Sequence, residues 1–443
     1  MVSETTSLLR KPMFKLVDLE HRLPLPVWYY PQSEKYFVQN DMSEYVPYSK
    51  TTLKLILRKW GMSTRAEDGE PLSEIDELFA DVSYNKTVSF AGQLAGARTG
   101  CYWINGKRIL VTQSPKVITA KPDGEFPLIT SIIDQLFNGG SIDQRSYIYG
   151  WLKKGRQALI QADPLPGQAL ILAGPRNAGK NLFQDIVTEV LGGRAEKPYR
   201  YMIGKTEFNS DLFGAEHLCI ADEVPFSDMA SRRVFGSKIK DMCVNSLQSC
   251  HGKHKEALSL MPLWRLTISV NDEPENLVML PPLDDSIADK LIMTKVERAN
   301  MPMATDSPTG RRKFWDAVCA ELPYFVNFLD EYEIPEDQKD SRFGIKAFQH
   351  PDLTEVLQDM SHEIRLLELM DTIIVPSSGS WKGTKEELET ALLEDPTYKR
   401  QVERLLYYPT ALQTYLRRLG KTRPERVRNY RSNGRYKWEI HSN

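Results

Sequence analysis

The sequence lacks the features of membrane-spanning, secreted and disulfide-stabilised proteins. No apolar run approaches the ~20 residues that a transmembrane helix needs, and residues 1–11 contain no apolar segment typical of a secretory signal. The five cysteines are odd in number and irregularly spaced, which favours reduced thiols in a cytosolic compartment. We therefore expect a cytoplasmic protein with no membrane partner.

The chain also lacks a strong net charge, internal repeats and low-complexity tracts. Its 443 residues carry a formal charge of −2, with 41% hydrophobic and 26% charged residues, which is ordinary for a globular protein. The length predicts about two to four domains. The charge is nevertheless uneven, because residues 398–443 contain twelve Lys and Arg against three Glu. A basic end on a neutral chain predicts contact with nucleic acid there.

The most informative segment is an apolar run, residues 169–173, followed by a Gly-x-x-x-x-Gly-Lys loop and a helical pattern with Leu182, Ile186 and Val190 on one face. This order predicts a phosphate site. Backbone N–H groups surround the phosphate oxygens, the helix N-terminus attracts their charge, and a lysine reaches the β and γ phosphates. We expect ATP to be held by Gly174, Pro175, Asn177, Ala178, Gly179, Lys180 and Asn181.

The residue after the loop lysine departs from the usual pattern. Asn181 stands where Ser or Thr commonly ligates Mg²⁺. An amide oxygen also ligates hard cations, so we predict that Asn181 and Asp222 serve Mg²⁺. The alternative is a degraded site that binds nucleotide but hydrolyses it poorly.

Two further apolar runs end in polar residues that suit ATP hydrolysis. Residues 218–221 lead into Asp222 and Glu223, and residues 266–270 lead into Asn271. We predict that Asp222 holds Mg²⁺, that Glu223 orients and polarises the attacking water, and that Asn271 senses the γ-phosphate. Ordinary strand ends and turns are the competing interpretations.

A basic turn, residues 249–257, lies between these runs. Lys253, His254 and Lys255 at a hairpin tip can contact phosphates independently of sequence. A solvated turn is one alternative. A metal site of Cys243, Cys250, His251 and His254 is another, although the cysteine spacing is not that of zinc modules.

In this order the motifs resemble the superfamily 3 helicases, a branch of the AAA+ ATPases. The Lys253–Ala257 segment resembles the channel hairpin of the papillomavirus replicative helicase, and the wider layout resembles the helicase part of phage, plasmid and poxvirus-type primase-helicases. Motif similarity covers about residues 165–300. The resemblance implies a homohexameric ring in a bacterial host cell, with translocation 3′ to 5′ on single-stranded DNA.

The resemblance also implies a basic finger that reaches the γ-phosphate from a neighbouring subunit. Lys290 stands where the family usually has Arg, and its point charge lacks the planar fork of a guanidinium. Arg232, Arg233 and Arg298 are the other candidates for this finger. No primase motif is apparent in residues 1–150, so we expect any primase or polymerase to be a separate partner.

The basic C-terminus is predicted to be a small DNA-binding domain. Thr384 and Glu387 form a capping-box pattern, residues 410–419 form an amphipathic helix, and residues 427–440 form a hairpin. Helices followed by a basic hairpin resemble a winged-helix domain, which would grip duplex phosphates; a charged solvated cap is the alternative. The predicted DNA contacts here are Arg417, Arg418, Lys421, Arg428, Arg431 and Arg435.

Together these patterns predict an α/β fold with four parts. These are an α+β accessory domain of unknown role (1–150), an AAA+ P-loop NTPase core (151–335), a connecting helical segment (336–380) and a winged-helix-like domain (381–443). The predicted function is an ATP-dependent DNA helicase for replication of a phage or mobile element. The alternatives are a nucleotide-ordered DNA-binding initiator or scaffold with weak or no hydrolysis, and a remodeller of another protein.

Overall fold

The structure is a computed structural model. It describes residues 15–16, 26–163, 165–221, 229–253, 255–277, 279–281, 283, 286–359, 362–375, 379–432 and 434–441. The chain forms two compact units, residues 1–349 and 350–443. None of the helices within the described ranges is long and apolar enough to cross a membrane.

The described residues at the start of the first unit form two small, mainly antiparallel sheets and four helices. The sheet orders are β2-β3-β4 and β1-β6-β7-β5. β2 and β3 form a hairpin across residues 31–34, and β6 and β7 form one across Asn105-Gly106. The elements are β1 (Lys15–Leu16), β2 (Val27–Tyr30), β3 (Lys35–Gln39), β4 (Tyr45–Tyr48), α1 (Lys50–Lys59), α2 (Glu74–Asn85), β5 (Phe90–Gly92), β6 (Gly100–Ile104), β7 (Lys107–Val111), α3 (Pro127–Phe137) and α4 (Arg145–Gln161).

A six-stranded parallel sheet forms the rest of this unit, which confirms the predicted α/β class. Its order is β15-β14-β8-β13-β10-β9, and every neighbouring pair is parallel. The elements are β8 (Ala169–Ala173), α5 (Lys180–Val190), β9 (Ala195–Glu196), α6 (Tyr199–Met202), β10 (His217–Ala221), α7 (Met229–Val244), β11 (Gln248–Cys250), β12 (Leu258–Leu260), β13 (Arg265–Val270), α8 (Pro274–Leu277), β14 (Leu291–Lys295), α9 (Pro308–Glu331) and β15 (Phe348–Gln349).

Helices α3, α4, α5 and α9 pack their apolar faces against the central strands. Their buried side chains join those of β8 and β14 in one core, which includes Ile132, Trp151, Phe183 and Phe325. All five residues of β8 are buried, as expected for a central parallel strand covered on both faces. Residue 150, where the sequence analysis placed a boundary, lies within α4.

The loop of residues 93–99 is one of the places where the small sheets are hydrogen-bonded to the part of the unit that contains the parallel sheet. The backbone N–H of Gly96 donates to Glu216 Oε1 (2.8 Å), and Glu216 also pairs with Arg194. The N–H of Leu263 donates to the carbonyl oxygen of Ala95 (2.9 Å). A Cβ on Gly96 would come within 2.3 Å of the Leu263 side chain, so only glycine permits this close approach.

The described residues of the second unit form five helices and a three-stranded antiparallel sheet of order β16-β18-β17. The predicted capping box of Thr384 and Glu387 and the hairpin of residues 427–440 are both confirmed. Leu412, Leu416 and Leu419 bury one face of the last helix. The elements are α10 (Pro351–Asp359), α11 (His362–Ile373), β16 (Ser380–Gly383), α12 (Lys385–Glu394), α13 (Lys399–Leu405), α14 (Ala411–Thr422), β17 (Val427–Ser432) and β18 (Arg435–His441).

Candidate nucleotide and nucleic-acid sites

The glycine-rich loop lies between β8 and α5, as the sequence predicts. Gly174 passes so close to the chain after β14 that a Cβ there would lie 2.2 Å from the carbonyl oxygen of Val296. Asn177 and Gly179 adopt left-handed backbone angles, with φ of 58° and 108°. These turns lead directly into α5, whose first residue is Lys180. The loop therefore has the backbone path of a phosphate cradle ahead of a helix N-terminus.

Lys180 is held against its own loop and against Asn271. Its side chain is only 3% exposed. The Nζ atom donates to the carbonyl oxygens of Gly174 (2.7 Å) and Pro175 (3.0 Å) and to Oδ1 of Asn271 (2.9 Å). Two predicted site residues that are 91 positions apart in sequence are thus in direct contact.

The order of strands explains this contact. β13, which ends one residue before Asn271, is hydrogen-bonded to β8 on one side and to β10 on the other. β10 ends at Ala221, in register with Ser269. Asp222 and Glu223 follow Ala221 in sequence and lie outside the described residues. Asn181 is exposed at the start of α5.

A buried polar network that the sequence analysis missed joins α5 to the two neighbouring strands. His217 Nδ1 contacts the Thr188 hydroxyl and Nε2 contacts the Thr267 hydroxyl, each at 2.7 Å. Gln184 Nε2 donates to the Thr267 hydroxyl (2.8 Å) and to the carbonyl oxygen of Ile220 (3.0 Å). Complete burial lowers the pKa of His217 to about 3, so the ring is neutral. The network fixes the helix after the phosphate loop relative to the end of β10.

The four finger candidates lie in different places. Arg298 follows β14, and its Nη2 donates to the carbonyl oxygen of Arg176 in the loop of its own chain (3.2 Å). Lys290 precedes β14, at the opposite edge of the sheet, and pairs with Asp289 (2.5 Å). Arg232 and Arg233 belong to α7, and their side chains are outside the described part.

The basic turn is confirmed as a hairpin, with β11 and β12 antiparallel. Asn209, which is 3% exposed, anchors it: Oδ1 accepts from the N–H of His251 (2.7 Å) and Nδ2 donates to the carbonyl oxygen of Ser249 (2.9 Å). Lys253 and Lys255 are exposed, whereas His254 lies outside the described residues. Phe208, 42% exposed, contacts the His251 ring with centroids 5.2 Å apart.

The metal alternative gains no support. Within the described ranges, which omit His254, no three His, Cys, Asp or Glu side chains are grouped closely enough to hold an ion. Cys243 and Cys250 are buried, and burial raises the pKa of each thiol to about 12. Both thiols are therefore protonated at neutral pH when no metal is bound.

Most basic candidates of the second unit are exposed. Arg417, Arg418 and Lys421 lie along α14, and Arg428 and Arg431 lie on β17. Arg418 pairs with Glu363 (2.6 Å), and Arg428 Nε donates to the carbonyl oxygen of Pro424 (2.9 Å). The Arg435 side chain is outside the description. Arg426, which the sequence analysis did not single out, has a structural role because it pairs with Asp371 (2.6 Å).

Comparison with solved structures finds a shared fold over nearly the whole chain. An apo structure of the C-terminal region of NrS-1 matches with a TM-score of 0.54 and 13% identity, covering 95% of this chain and 96% of that one. The A form of the same region matches with a TM-score of 0.53 and 13% identity, covering 95% of this chain and 97% of that one. A structure described as an active helicase, Cch of SCCmec type IV, gives a TM-score of only 0.27 at 9% identity, too low to carry an argument. No protein-family model and no curated protein matches the sequence.

Proposed function

We propose that this protein is an ATP-driven motor that moves on single-stranded DNA and separates duplex DNA during replication of a phage or mobile element. The contact between Lys180 Nζ and Asn271 Oδ1, at the carboxyl edge of a parallel sheet, carries the proposal. It brings a phosphate-loop lysine beside a polar strand end suited to γ-phosphate sensing. The hairpin with Lys253 and Lys255 supplies a basic surface in the same unit.

The geometry of the loop supports a nucleoside triphosphate as its ligand. Gly174 lies too close to Val296 for any side chain at this position, and three of the oxygens that accept from the buried Lys180 ammonium are uncharged. ATP with Mg²⁺ would be held by residues 174–181 and Asp222, and it supplies the phosphoanhydride bond whose hydrolysis drives movement. Lys180 would bind phosphate oxygens, Glu223 would orient and activate water, and Asn271 would position the same water.

By resemblance to superfamily 3 helicases, the working form would be an AAA+ hexameric ring that translocates 3′ to 5′, with a basic finger between subunits. We retain Lys290, Arg232 and Arg233 as candidates for that finger. The contact of Arg298 with its own phosphate loop favours a role within the same subunit. The second unit, in which a basic helix and hairpin lie on one small sheet, would bind duplex DNA as a winged-helix domain does.

A second candidate is a DNA-binding initiator whose nucleotide orders an oligomer without turnover. Asn181 at the usual Mg²⁺ position and the pairing of Lys290 with Asp289 favour it. Under this alternative, ATP is bound but not hydrolysed, and adding DNA does not start hydrolysis.

The deciding measurement is ATP hydrolysis with and without single-stranded DNA, for the wild type and for Glu223→Gln. A motor predicts DNA-stimulated turnover that Glu223→Gln abolishes while nucleotide binding persists. Nucleotide binding without turnover in the wild type would reject the motor in favour of the initiator. Turnover stimulated by a protein and not by DNA would indicate a remodeller.

A further inference from the structure

A cavity of about 250 Å³ lies between the end of β2 and the basic hairpin. Residues from the small N-terminal sheets form one wall, and the hairpin loop forms the other. Both walls belong to the same compact unit, so the cavity is part of one body. The residues used below are Tyr30, Gln32, Phe90, Lys107, Lys255 and Glu256.

An aromatic surface forms part of this cavity. The Tyr30 side chain is 4% exposed and its hydroxyl donates to Gln32 Oε1 (2.6 Å), which fixes the ring. The half-buried Phe90 adds a second aromatic side chain from β5. The Phe90 ring is only half-buried and can stack against a nucleobase of any sequence, and such stacking is worth about 1–3 kcal/mol per base. Tyr30 lines the cavity but exposes too little surface for a base to stack on it.

Two lysines from separate parts of the chain border the same cavity. Lys107 begins β7 and Lys255 lies in the hairpin loop, and both are exposed. Lys255 Nζ lies 5.4 Å from the centre of the Tyr30 ring, within cation–π distance. Among the described residues that line the cavity, Glu256 is the one acidic residue, so these residues together have a net positive charge. An anion that carries an aromatic group is complementary to this combination.

We propose that this cavity binds one nucleotide of single-stranded DNA, with the base against Phe90 and the phosphate between Lys107 and Lys255. Its volume is slightly below the ~300–1,000 Å³ of typical ligand pockets, which suits one base. The strand would reach it across the exposed Lys253 of the same hairpin. The proposal rests on the DNA-binding role proposed above, and it gives the N-terminal sheets a function as the second wall of the DNA path.

Charge reversal of Lys107 tests the proposal, because this residue is remote in sequence from every predicted motif. We expect Lys107→Glu to weaken binding of a fluorescent single-stranded oligonucleotide about ten-fold at low salt. Lys255→Glu should weaken it similarly, and the double variant should lose less than the product of the two effects, because one phosphate is shared. Lys121→Glu, an exposed lysine away from the cavity, is the matched control and should bind normally.

Photocrosslinking locates the base independently of affinity. An oligonucleotide containing 5-iodouracil should crosslink to the peptide with Phe90, and a free mononucleotide should not compete. Competition by the mononucleotide would assign the cavity to a free nucleotide and overturn the proposal. Thermal unfolding of each variant, compared with that of Lys121→Glu, shows whether a loss of affinity reflects misfolding. If Lys107→Glu is misfolded, the crosslinking of the wild type decides the test.

The two proposals fail in different ways. If the wild type binds single-stranded DNA and DNA stimulates its ATP turnover, but Lys107→Glu binds normally and crosslinks are confined to the hairpin, only the cavity proposal is wrong. If the wild type neither binds single-stranded DNA nor responds to it, the motor is wrong and the cavity proposal falls with it.

Discussion

At the scale of single residues, Lys180 carries a charge that is buried in the phosphate loop. An ammonium group tolerates burial only when its donors have partners, and here three oxygens at 2.7–3.0 Å supply them. All three acceptors are neutral. A phosphate oxygen carries negative charge and adds Coulombic attraction to the hydrogen bond, so phosphate should compete successfully with these uncharged oxygens for the ammonium.

Replacing Lys180 by Ala should therefore abolish ATP turnover and unwinding. We expect a loss of at least about a hundred-fold in kcat, comparable with removal of a charge-stabilising group at a transition state. Steady-state ATPase assays with single-stranded DNA measure it, and Lys205→Ala, an exposed lysine of the same unit, serves as the control. Turnover retained in Lys180→Ala would show that the loop is not the catalytic site.

At the scale of elements, the His217 network makes the junction of α5, β10 and β13 sensitive to pH. The Thr188 hydroxyl donates to the carbonyl oxygen of Gln184 (3.0 Å), so it accepts from His217 Nδ1. Nε2 must then accept from Thr267, whose oxygen accepts from Gln184. A protonated imidazole has two donors and no acceptor, so it would break the Thr267 hydrogen bond.

The free energy of unfolding should fall as the solution is acidified. The folded-state pKa of His217 is about 3, against an ordinary value of 6.5, so the stability contributed by the neutral ring is complete above pH 6.5. It is lost by up to ~1.4 kcal/mol per pH unit as the pH falls from 6.5 towards 3. Denaturant unfolding of His217→Gln, which keeps a donor and an acceptor, should show a shallower dependence in this window. Equal slopes for both proteins would contradict the assignment.

The anchoring of the hairpin by Asn209 gives a second test at this scale. Asn209→Ala leaves the N–H of His251 and the carbonyl oxygen of Ser249 without their side-chain partner, which costs about 1–3 kcal/mol where these groups remain buried. We expect lower thermal stability and weaker DNA stimulation of ATP turnover. Asn209→Asp keeps the acceptor for the N–H of His251. Its thermal stability and DNA stimulation should therefore lie between those of the wild type and Asn209→Ala. Full DNA stimulation in Asn209→Ala would show that the hairpin needs no anchor to act on DNA.

At the scale of the whole molecule, the charge is unevenly distributed, because residues 398–443 are strongly basic although the chain as a whole is nearly neutral. The exposed Arg417 and Lys421 lie one helical turn apart on α14. If both contact duplex phosphates, replacing both by Ala should reduce the slope of log K against log salt by about 1.8, since each contact contributes ~0.9. Binding titrations of duplex DNA at several salt concentrations measure it. The exposed Arg58 and Lys59 of α1, replaced together, provide the control, and an unchanged slope in the α14 variant would exclude that helix from the contact.

Local patterns were sufficient for most individual elements. The strand, loop and helix at residues 169–190 were readable because apolar period and glycine placement are local properties. The same is true of the capping box at Thr384, which is confirmed. Asn105-Gly106 is likewise a local hairpin signal, and β6 pairs with β7 across it. The sequence did not predict where α3 and α4 pack, because their apolar faces do not specify which sheet they cover. The structure shows that they join the core of the parallel sheet.

The sequence by itself determined the α/β class, the phosphate-loop pattern and the basic C-terminal end, because composition, period and motif spacing encode them directly. Only the tertiary structure decided that Asn271 touches Lys180, that His217 ties α5 to β10 and β13, and that Tyr30 and Lys107 face the hairpin across one cavity. Each of these depends on strand order and on contacts between residues 29 or more positions apart. Such contacts are settled by how the elements pack together, which no local pattern records.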